Sequence, residues 1–372
     1  MKICFVGTYP PTRCGLATFT QSLVEAMADP RLGHPAGVVR VMERPEPPGH
    51  PEVVAEWTAT DPSSSVRALL AMRGFDVAVV QHEYGIYPGP DGEEVVGFLR
   101  ACPIPVVVVM HTVLTEPSSN QRRVLEHVMA LSERVVVPTE AAKARLLGTH
   151  EVIPDRVAVI PHGAVENVGP SSLEFRDPVV LTWGLMGPGK GLEYGIQAMR
   201  HLRDLEPGPV YVIAGETHPK VLARDGEHYR EGLMKQAADL GIGDRVVFED
   251  RYLEGPSLRA LARSADIILL PYESREQICS GVLVEAVSTG KPVVATAFPH
   301  AVELLSSACG IVVPHQDPKA IARAIRRLLT DPDLAGSMRT QARREAEQLT
   351  WPAVGRTYLK LINRILVERE AA

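Results

Sequence analysis

Short apolar runs rich in valine and isoleucine recur along this chain, and stretches with helical spacing of apolar positions lie between them. In the first part the runs are 3–6, 77–80, 106–110, 134–137 and 157–160. They are apolar on both faces and nearly free of Asn and Asp, which predicts parallel strands buried between helices. The periodicity fails in a turn-rich link from Gly163 to Ser172. It restarts with runs at 179–183, 210–214, 246–248, 267–270, 293–296 and 310–313. Intervening helices are predicted at 191–203, 229–240, 281–288 and 318–329. A terminal helix over 351–370 places Leu359, Leu361, Ile362, Ile365 and Leu366 on its apolar side. The pattern is that of an α/β protein with two doubly wound units, 1–168 and 175–350, followed by a terminal segment, 351–372. Open α/β sheets bind ligands outside the carboxyl ends of their strands, so a cleft between the units is the expected site.

Composition narrows the class. The 372 residues are 45% hydrophobic, enough for two ordinary cores. A formal net charge of -6 argues against a sequence-general nucleic-acid binder, which gathers Lys and Arg on one face. The five cysteines form no CxxC pair and are odd in number, which fits mostly buried thiols in a reducing compartment. The first apolar run ends by Gly7, too short for a secretory signal, and no run reaches the roughly 18 residues of a membrane span. A cytoplasmic protein is expected. A peripheral membrane contact and a monomer or homodimer stay open.

Candidate chemistry sits where predicted strands end. The loop from Thr8 to Phe19 contains Gly15 but lacks the GxGxxG fingerprint, which disfavours a nicotinamide enzyme. Gly15 either lets backbone N–H groups approach an anion at the helix start or is a plain turn glycine. Gln81, His82, Glu83 and Tyr84 follow the second run, with Glu83 and His82 as candidate hydroxyl partners for an acceptor. His111 follows the third run and is placed to reach into the cleft. His162 and Gly163 end the first unit, and Gly163 is expected to supply a positive φ. In the second unit Gly184, Gly187, Gly189, Lys190 and Gly191 join a strand to a helix. This is not a P-loop, yet glycines with one lysine suit a diphosphate. Arg275 and Ser280 are candidate donors to phosphate or sugar oxygens, and Ser280-Gly281 reads as a helix cap with a bare backbone approach. Glu285, one turn into that helix, is expected to accept from ribose or sugar hydroxyls, with Leu283, Val284 and Ala286 arguing for its burial. Glu303 either assists at the sugar or caps a helix. No HExxH, close histidine cluster or DxD indicates a metal.

These motifs resemble the retaining glycosyltransferases of family 4, whose GT-B fold has two facing Rossmann-like domains and an inter-domain cleft. The resemblance covers nearly the whole chain. It rests on Tyr9-Pro10-Pro11, Pro161-His162-Gly163, residues 184–191, residues 243–248 and residues 280–303 including Gly290-Lys291-Pro292. The segment from Thr350 to Val354 is similar to the start of the family's last helix, which crosses back to the first domain. By resemblance the active-site histidine is His111 and the diphosphate lysine is Lys190. The second glutamate of the family's pair is Glu285, a ribose ligand, and Glu303 stands near the sugar. Phe248 or nearby backbone packs on the base, and Gly15 lies near phosphates and acceptor. Gly184, Gln277, Ser280, Gly281 and Val282 complete the nucleotide-sugar set. Two positions depart from the family pattern: Leu185 replaces an arginine, and Gln277 replaces the first glutamate, with Glu276 one residue away. Arg275 is the candidate replacement for the lost charge.

The implied activity is transfer of a hexose, with mannose or glucose expected. The donor would be a nucleoside diphosphate sugar, GDP-mannose or UDP-glucose, and the acceptor a hydroxyl of a polar sugar or glycoside. Configuration would be retained, with no metal or cofactor. Lys190, Arg275 and the helix start at Ser280-Gly281 would neutralise the leaving diphosphate. His111 would orient the donor sugar. The alternatives are a non-catalytic nucleotide-sugar sensor or scaffold, and an epimerase or phosphorylase on the same fold.

Overall fold

A computed structural model describes all residues except 13, 29–33, 45–46, 48–49, 172–175, 252, 254 and 372. Arg13 of the first loop, the end of the link at Ser172, the expected start of the second unit at Phe175 and the terminal Ala372 therefore lie outside the described residues. The chain forms two compact units, one of Met1–Gly163 with Trp351–Ala372 and one of Ala164–Thr350.

The first unit runs β1 (Ile3–Gly7), α1 (Gly15–Met27), β2 (Ala36–Met42), β3 (Val53–Thr58), α2 (Ser63–Met72), β4 (Val77–His82), α3 (Glu94–Arg100), β5 (Val106–Met110), α4 (Ser119–Ala130), β6 (Arg134–Val137), α5 (Glu140–Thr149) and β7 (Val157–Val159). Its seven strands are parallel in the order β3-β2-β1-β4-β5-β6-β7. The order reverses between β1 and β4, so the carboxyl ends of these two strands flank the topological switch point.

Sequence periodicity does not announce β2 and β3, because each carries a charge. Arg40 in β2 and Glu56 in β3 are register partners, with Nη1 and Oε1 3.5 Å apart. The Arg40 side chain is fully buried and donates to the Pro47 carbonyl at 2.9 Å and to Thr12 Oγ1 at 3.4 Å. A buried guanidinium is tolerated when its terminal nitrogens find acceptors in this way. The strand expected to end at Val80 runs on through His82, paired with Met110.

The second unit runs β8 (Val179–Trp183), α6 (Leu192–Arg200), β9 (Val210–Ala214), α7 (Pro219–Asp225), α8 (His228–Asp239), β10 (Val246–Glu249), α9 (Gly255–Ser264), β11 (Ile267–Leu270), α10 (Gly281–Ser288), β12 (Val293–Thr296), α11 (Pro299–Leu305), β13 (Gly310–Val313), α12 (Pro318–Thr330) and α13 (Pro332–Leu349). Its sheet is also parallel, in the order β10-β9-β8-β11-β12-β13, with the switch point between β8 and β11. Alternate residues feed two cores. Val180, Ile213, Leu269 and Val294 face one. Leu181, Val212, Ile268 and Val293 face the other. That two-sided burial is why these runs read as uninterrupted apolar segments.

The last helix, α14 (Trp351–Glu370), belongs to the first unit and packs along α1. Its buried residues Trp351, Val354, Tyr358, Leu359, Ile362 and Ile365 follow helical spacing. Leu361 and Leu366 are partly buried at the edge of the same core. At Gly355 an added Cβ would lie 3.0 Å from Ala26 Cβ and 3.1 Å from the Ala26 carbonyl oxygen, so the close crossing with α1 needs glycine there. Among the described residues, no helix is long and apolar enough to cross a membrane.

Candidate functional site

In the first unit a polar cluster gathers at the ends of β4, one of the switch-point strands, and the neighbouring β5. Gln81 is fully buried, and its Oε1 lies 2.7 Å from His111 Nε2. The His111 backbone N–H donates to the His82 carbonyl at 3.1 Å. The Phe19 ring of α1 meets His111, His162 and Trp351 edge-on, at centroid distances of 4.7, 5.0 and 5.1 Å. Surrounding protein holds three imidazoles neutral at ordinary pH. Burial, aided by the neighbouring His162 and His82, brings His111 down to about 3, and burial brings His82 and His162 down to about 4.

Glu83 accepts from Thr112 Oγ1 at 2.5 Å and from the Tyr84 N–H at 3.0 Å. His82 is 1% exposed and meets Tyr84 edge-on. The expected pair of hydroxyl partners thus separates: Glu83 knits two loops together, and His82 is sealed inside the sheet end. Gly163 is also corrected. It has no positive φ; an added Cβ would come within 2.4 Å of the Trp351 indole, so contact with the ring excludes a side chain. Gly15 begins α1 with ordinary φ, is exposed, and has nothing within 4 Å of an added Cβ. The space above this helix start is open, and the local backbone does not require glycine.

In the second unit the switch point is built from glycine backbone. Gly184, Gly189 and Gly191 have φ of 123°, 87° and 64°. An added Cβ at Gly191 would meet the Pro271 carbonyl oxygen at 2.0 Å, and one at Gly215 would meet the Gly184 oxygen at 2.2 Å. These approaches let the loop after β8 lie against the strand-end segments after β9 and β11. The Glu273 N–H donates to the Gly189 carbonyl at 3.0 Å, joining the loops. Lys190 Nζ then stands 4.8 Å from the centroid of the Tyr272 ring, a cation–π contact. Burial pushes this ammonium below the usual lysine range. A narrow cavity of about 10 Å³, the space of one water, is lined by Trp183, Gly184, Met186, Lys190 and Tyr272.

Trp183 Nε1 donates to Glu285 Oε2 at 3.4 Å, which ties α10 to the end of β8. Glu285 is not buried as its neighbours suggest: its side chain is exposed, although protein around it on several sides pushes its carboxyl upward. Ser280 caps α10, accepting from the Leu283 N–H at 3.2 Å. It is 3% exposed, and its own N–H donates to His300 Nδ1 at 2.9 Å. Ser280 therefore shapes the helix start rather than presenting itself to solvent. Gly281 and Val282 are half-buried residues, and their amides have no hydrogen-bond partner among the described residues. Two N–H donors at a helix start suit an anion.

Arg275 is exposed on the loop between β11 and α10, with no ion pair among the described residues. Gln277 Nε2 donates to the Cys279 carbonyl at 3.1 Å, bracing the cap. Phe248, in β10, is half-buried against the core. Glu303 lies within α11 and not in a loop. The structure thus gathers Lys190, Gly184 and Glu285 with Trp183 and Tyr272 at one switch point. Sequence reasoning gave Tyr272, Trp183, Gly215, Phe19 and Arg40 no role. The only signal for Tyr272 was its place two residues past an apolar strand.

Two parallel sheets, each with polar groups near its switch point and one with an anion-suited glycine loop, define an α/β protein of two Rossmann-like units. The particular family follows from comparison. Residues 14–166 match the model described as Glycosyltransferase Family 4, and residues 169–345 match that described as Glycosyl transferases group 1. The chain belongs to this glycosyltransferase family and has the GT-B fold. A D-inositol 3-phosphate glycosyltransferase of Salinispora tropica is 28% identical over 264 residues, 65% of this chain and 53% of that protein. A GDP-mannose-dependent alpha-(1-6)-phosphatidylinositol monomannoside mannosyltransferase of Mycolicibacterium smegmatis is 31% identical over 201 residues, 52% of this chain and 50% of that protein. The matches thus span about half the length of these relatives. Anabaena HepE, solved in complex with UDP, shares the fold with a TM-score of 0.79 at 17% identity, over 98% of this chain and 100% of that one.

Proposed function

We propose that this protein transfers a hexose from a nucleoside diphosphate sugar to a hydroxyl of a sugar or glycoside, with retention of configuration. The observation that carries the reading is the second-unit switch point, where Lys190 rests on Tyr272 within a glycine loop. In this reading Lys190 and the Gly281 and Val282 amides bind the diphosphate and stabilise the charge that develops as it departs. Glu285 accepts from hydroxyls of the ribose or sugar. Exposed Arg275 reaches the phosphates from the loop after β11 and offsets the arginine that Leu185 replaces. The departing phosphate oxygen takes the acceptor's proton on the same face, so no side-chain nucleophile is assigned. The reading requires neither metal nor cofactor, and GDP-mannose and UDP-glucose are the donors to try first. His111 is assigned to the reacting sugar by family resemblance.

Calorimetric titration with GDP, UDP, ADP and their common sugars tests this reading, alongside Lys190→Ala. Selective binding of one nucleotide, lost in the variant, is expected. Binding of none, or undiminished binding by Lys190→Ala, overturns the donor site as drawn here.

A further inference from the structure

We propose that Gln81 is a positioning residue that holds His111 as a single neutral tautomer, with the proton on Nε2 and the Nδ1 lone pair free to accept from a ligand hydroxyl. The proposal rests on the reading of His111 as a sugar-side residue. Its physical content is local to the first unit.

Gln81 cannot easily turn away. It belongs to β4, opposite Val109 of β5, and its backbone carbonyl accepts from Tyr87 Oη at 2.5 Å. Its side chain is packed against Gly7 at the end of β1, where an added Cβ would lie 2.9 Å from Gln81 Cγ. The amide oxygen is thereby delivered 2.7 Å from His111 Nε2. An amide oxygen only accepts, so the facing ring nitrogen carries the proton. In a neutral imidazole the other nitrogen is then an acceptor. His111 Nδ1 has no hydrogen-bond partner among the described residues and is not among the buried unpartnered atoms, so it remains accessible. Phe19 packs edge-on against the ring and restricts its rotation.

The Gln81 amide nitrogen is buried and without a hydrogen-bond partner. Leaving a buried donor unmet costs stability. A purely structural residue at this position would avoid that cost with an apolar side chain. The cost is intelligible if the oxygen on the other side of the same amide has a task. Glutamate would meet the same ring nitrogen, but its charge would favour the protonated imidazole and remove the Nδ1 acceptor. Glutamine fixes the tautomer without charging the ring.

The test is nitrogen-15 NMR of the full chain labelled at histidine, near pH 7 and without nucleotide, with His111 assigned by loss of its signals in His111→Ala. The expected wild-type pattern is a proton-bearing Nε2 and a bare Nδ1. In Gln81→Leu the two nitrogens should move toward a common averaged value while the other histidine signals hold. In Gln81→Glu the Nε2 proton should persist and the ring should titrate at higher pH than in the wild type. A proton on Nδ1 in the wild type, or an unchanged pattern in Gln81→Leu, overturns the proposal. Should Gln81→Leu fail to fold, Gln81→Glu decides alone, because an unaltered His111 titration there has the same force. No nucleotide enters the experiment, so its failure is distinguishable from failure of the donor reading.

Discussion

The two switch points solve different physical problems. That of the first unit is crowded and mostly neutral: three imidazoles kept unprotonated, a phenyl ring against two of them, and a glutamate engaged with two loops. That of the second unit is built from bare backbone, with one ammonium on an aromatic face and two amides at a helix start. The first resembles a rigid hydrogen-bonding surface, which favours orientation of hydroxyls over attraction of charge. The second has the parts for neutralising an anion. The contrast teaches that two copies of one topology are specialised by what ends their strands: side chains committed to one another in one case, glycines in the other.

The sharpest way to break this contrast is to remove the cation. Lys190→Ala is expected to lower transfer by roughly a hundred- to a thousandfold, the usual cost of losing one preorganised charge-stabilising group. Single-turnover rates with the donor identified by titration would check it, and a loss under tenfold would mean that Arg275 or the amides carry the site. Next comes Gly191→Ala. Its positive φ and the 2.0 Å approach to the Pro271 carbonyl leave no room for a methyl group, and the obstacle is backbone. A cost of about 2 to 3 kcal/mol is expected, together with weakened nucleotide binding as Tyr272 and Lys190 shift. Gly15→Ala is the matched control in the first unit. With nothing within 4 Å, it should change the melting temperature little. Equal destabilisation by the two substitutions would erase the distinction between the units.

Acid should act on the first unit before the second. His82, His111 and His162 stay neutral in the fold well below the ordinary histidine value of 6.5, whereas the unfolded chain protonates them there. The unfolded state then binds more protons, so stability is full above about pH 6.5 and falls as pH drops toward 4. For a sealed ring such as His82 the loss by pH 5 is on the order of 2 kcal/mol. The carboxylates pushed down by arginine partners, Asp204 and Glu249 among them, lose their contribution only at lower pH. Urea unfolding at pH 7 and pH 5, followed through Trp351 in the first unit and Trp183 in the second, checks the order. A first-unit transition that does not move with pH would contradict it.

Much of this was legible in the sequence, for a physical reason that also marks the limit. Strands such as β5 and β8 are covered on both faces, so burial alone dictates every residue and the run announces itself. The helix α14 announces itself through its spaced apolar stripe. Strands β2 and β3 stayed hidden because Arg40 and Glu56 satisfy each other across the sheet, a pairing that no local window contains. The charge-rich α13 was hidden similarly, its apolar positions being few. At the candidate site, Lys190, His111 and Glu285 are singled out by strand-end position and family resemblance. Their partners are not, since Tyr272, Gln81 and Trp183 come from other strands, and only folding brings them near. Only the exposure of Glu285 differs from expectation, because apolar neighbours along a helix point to other faces.

The smallest expected loss concerns the guanidinium of Arg40, sealed inside the first unit. Glu56→Gln removes the charge facing Arg40 but leaves the Pro47 carbonyl and Thr12 hydroxyl in place. Because the Glu56 side chain is 41% exposed, water and salt already screen this pair, and the loss should stay under about 1 kcal/mol. It should shrink further near 1 M salt, where the Debye length falls to about 3 Å. A thermal-melt comparison at low and high salt measures both. A loss of several kcal/mol, unmoved by salt, would mean that Arg40 depends on Glu56 as a buried pair. The neutral character of the first unit would then extend only to its switch point and not to the strand beside it.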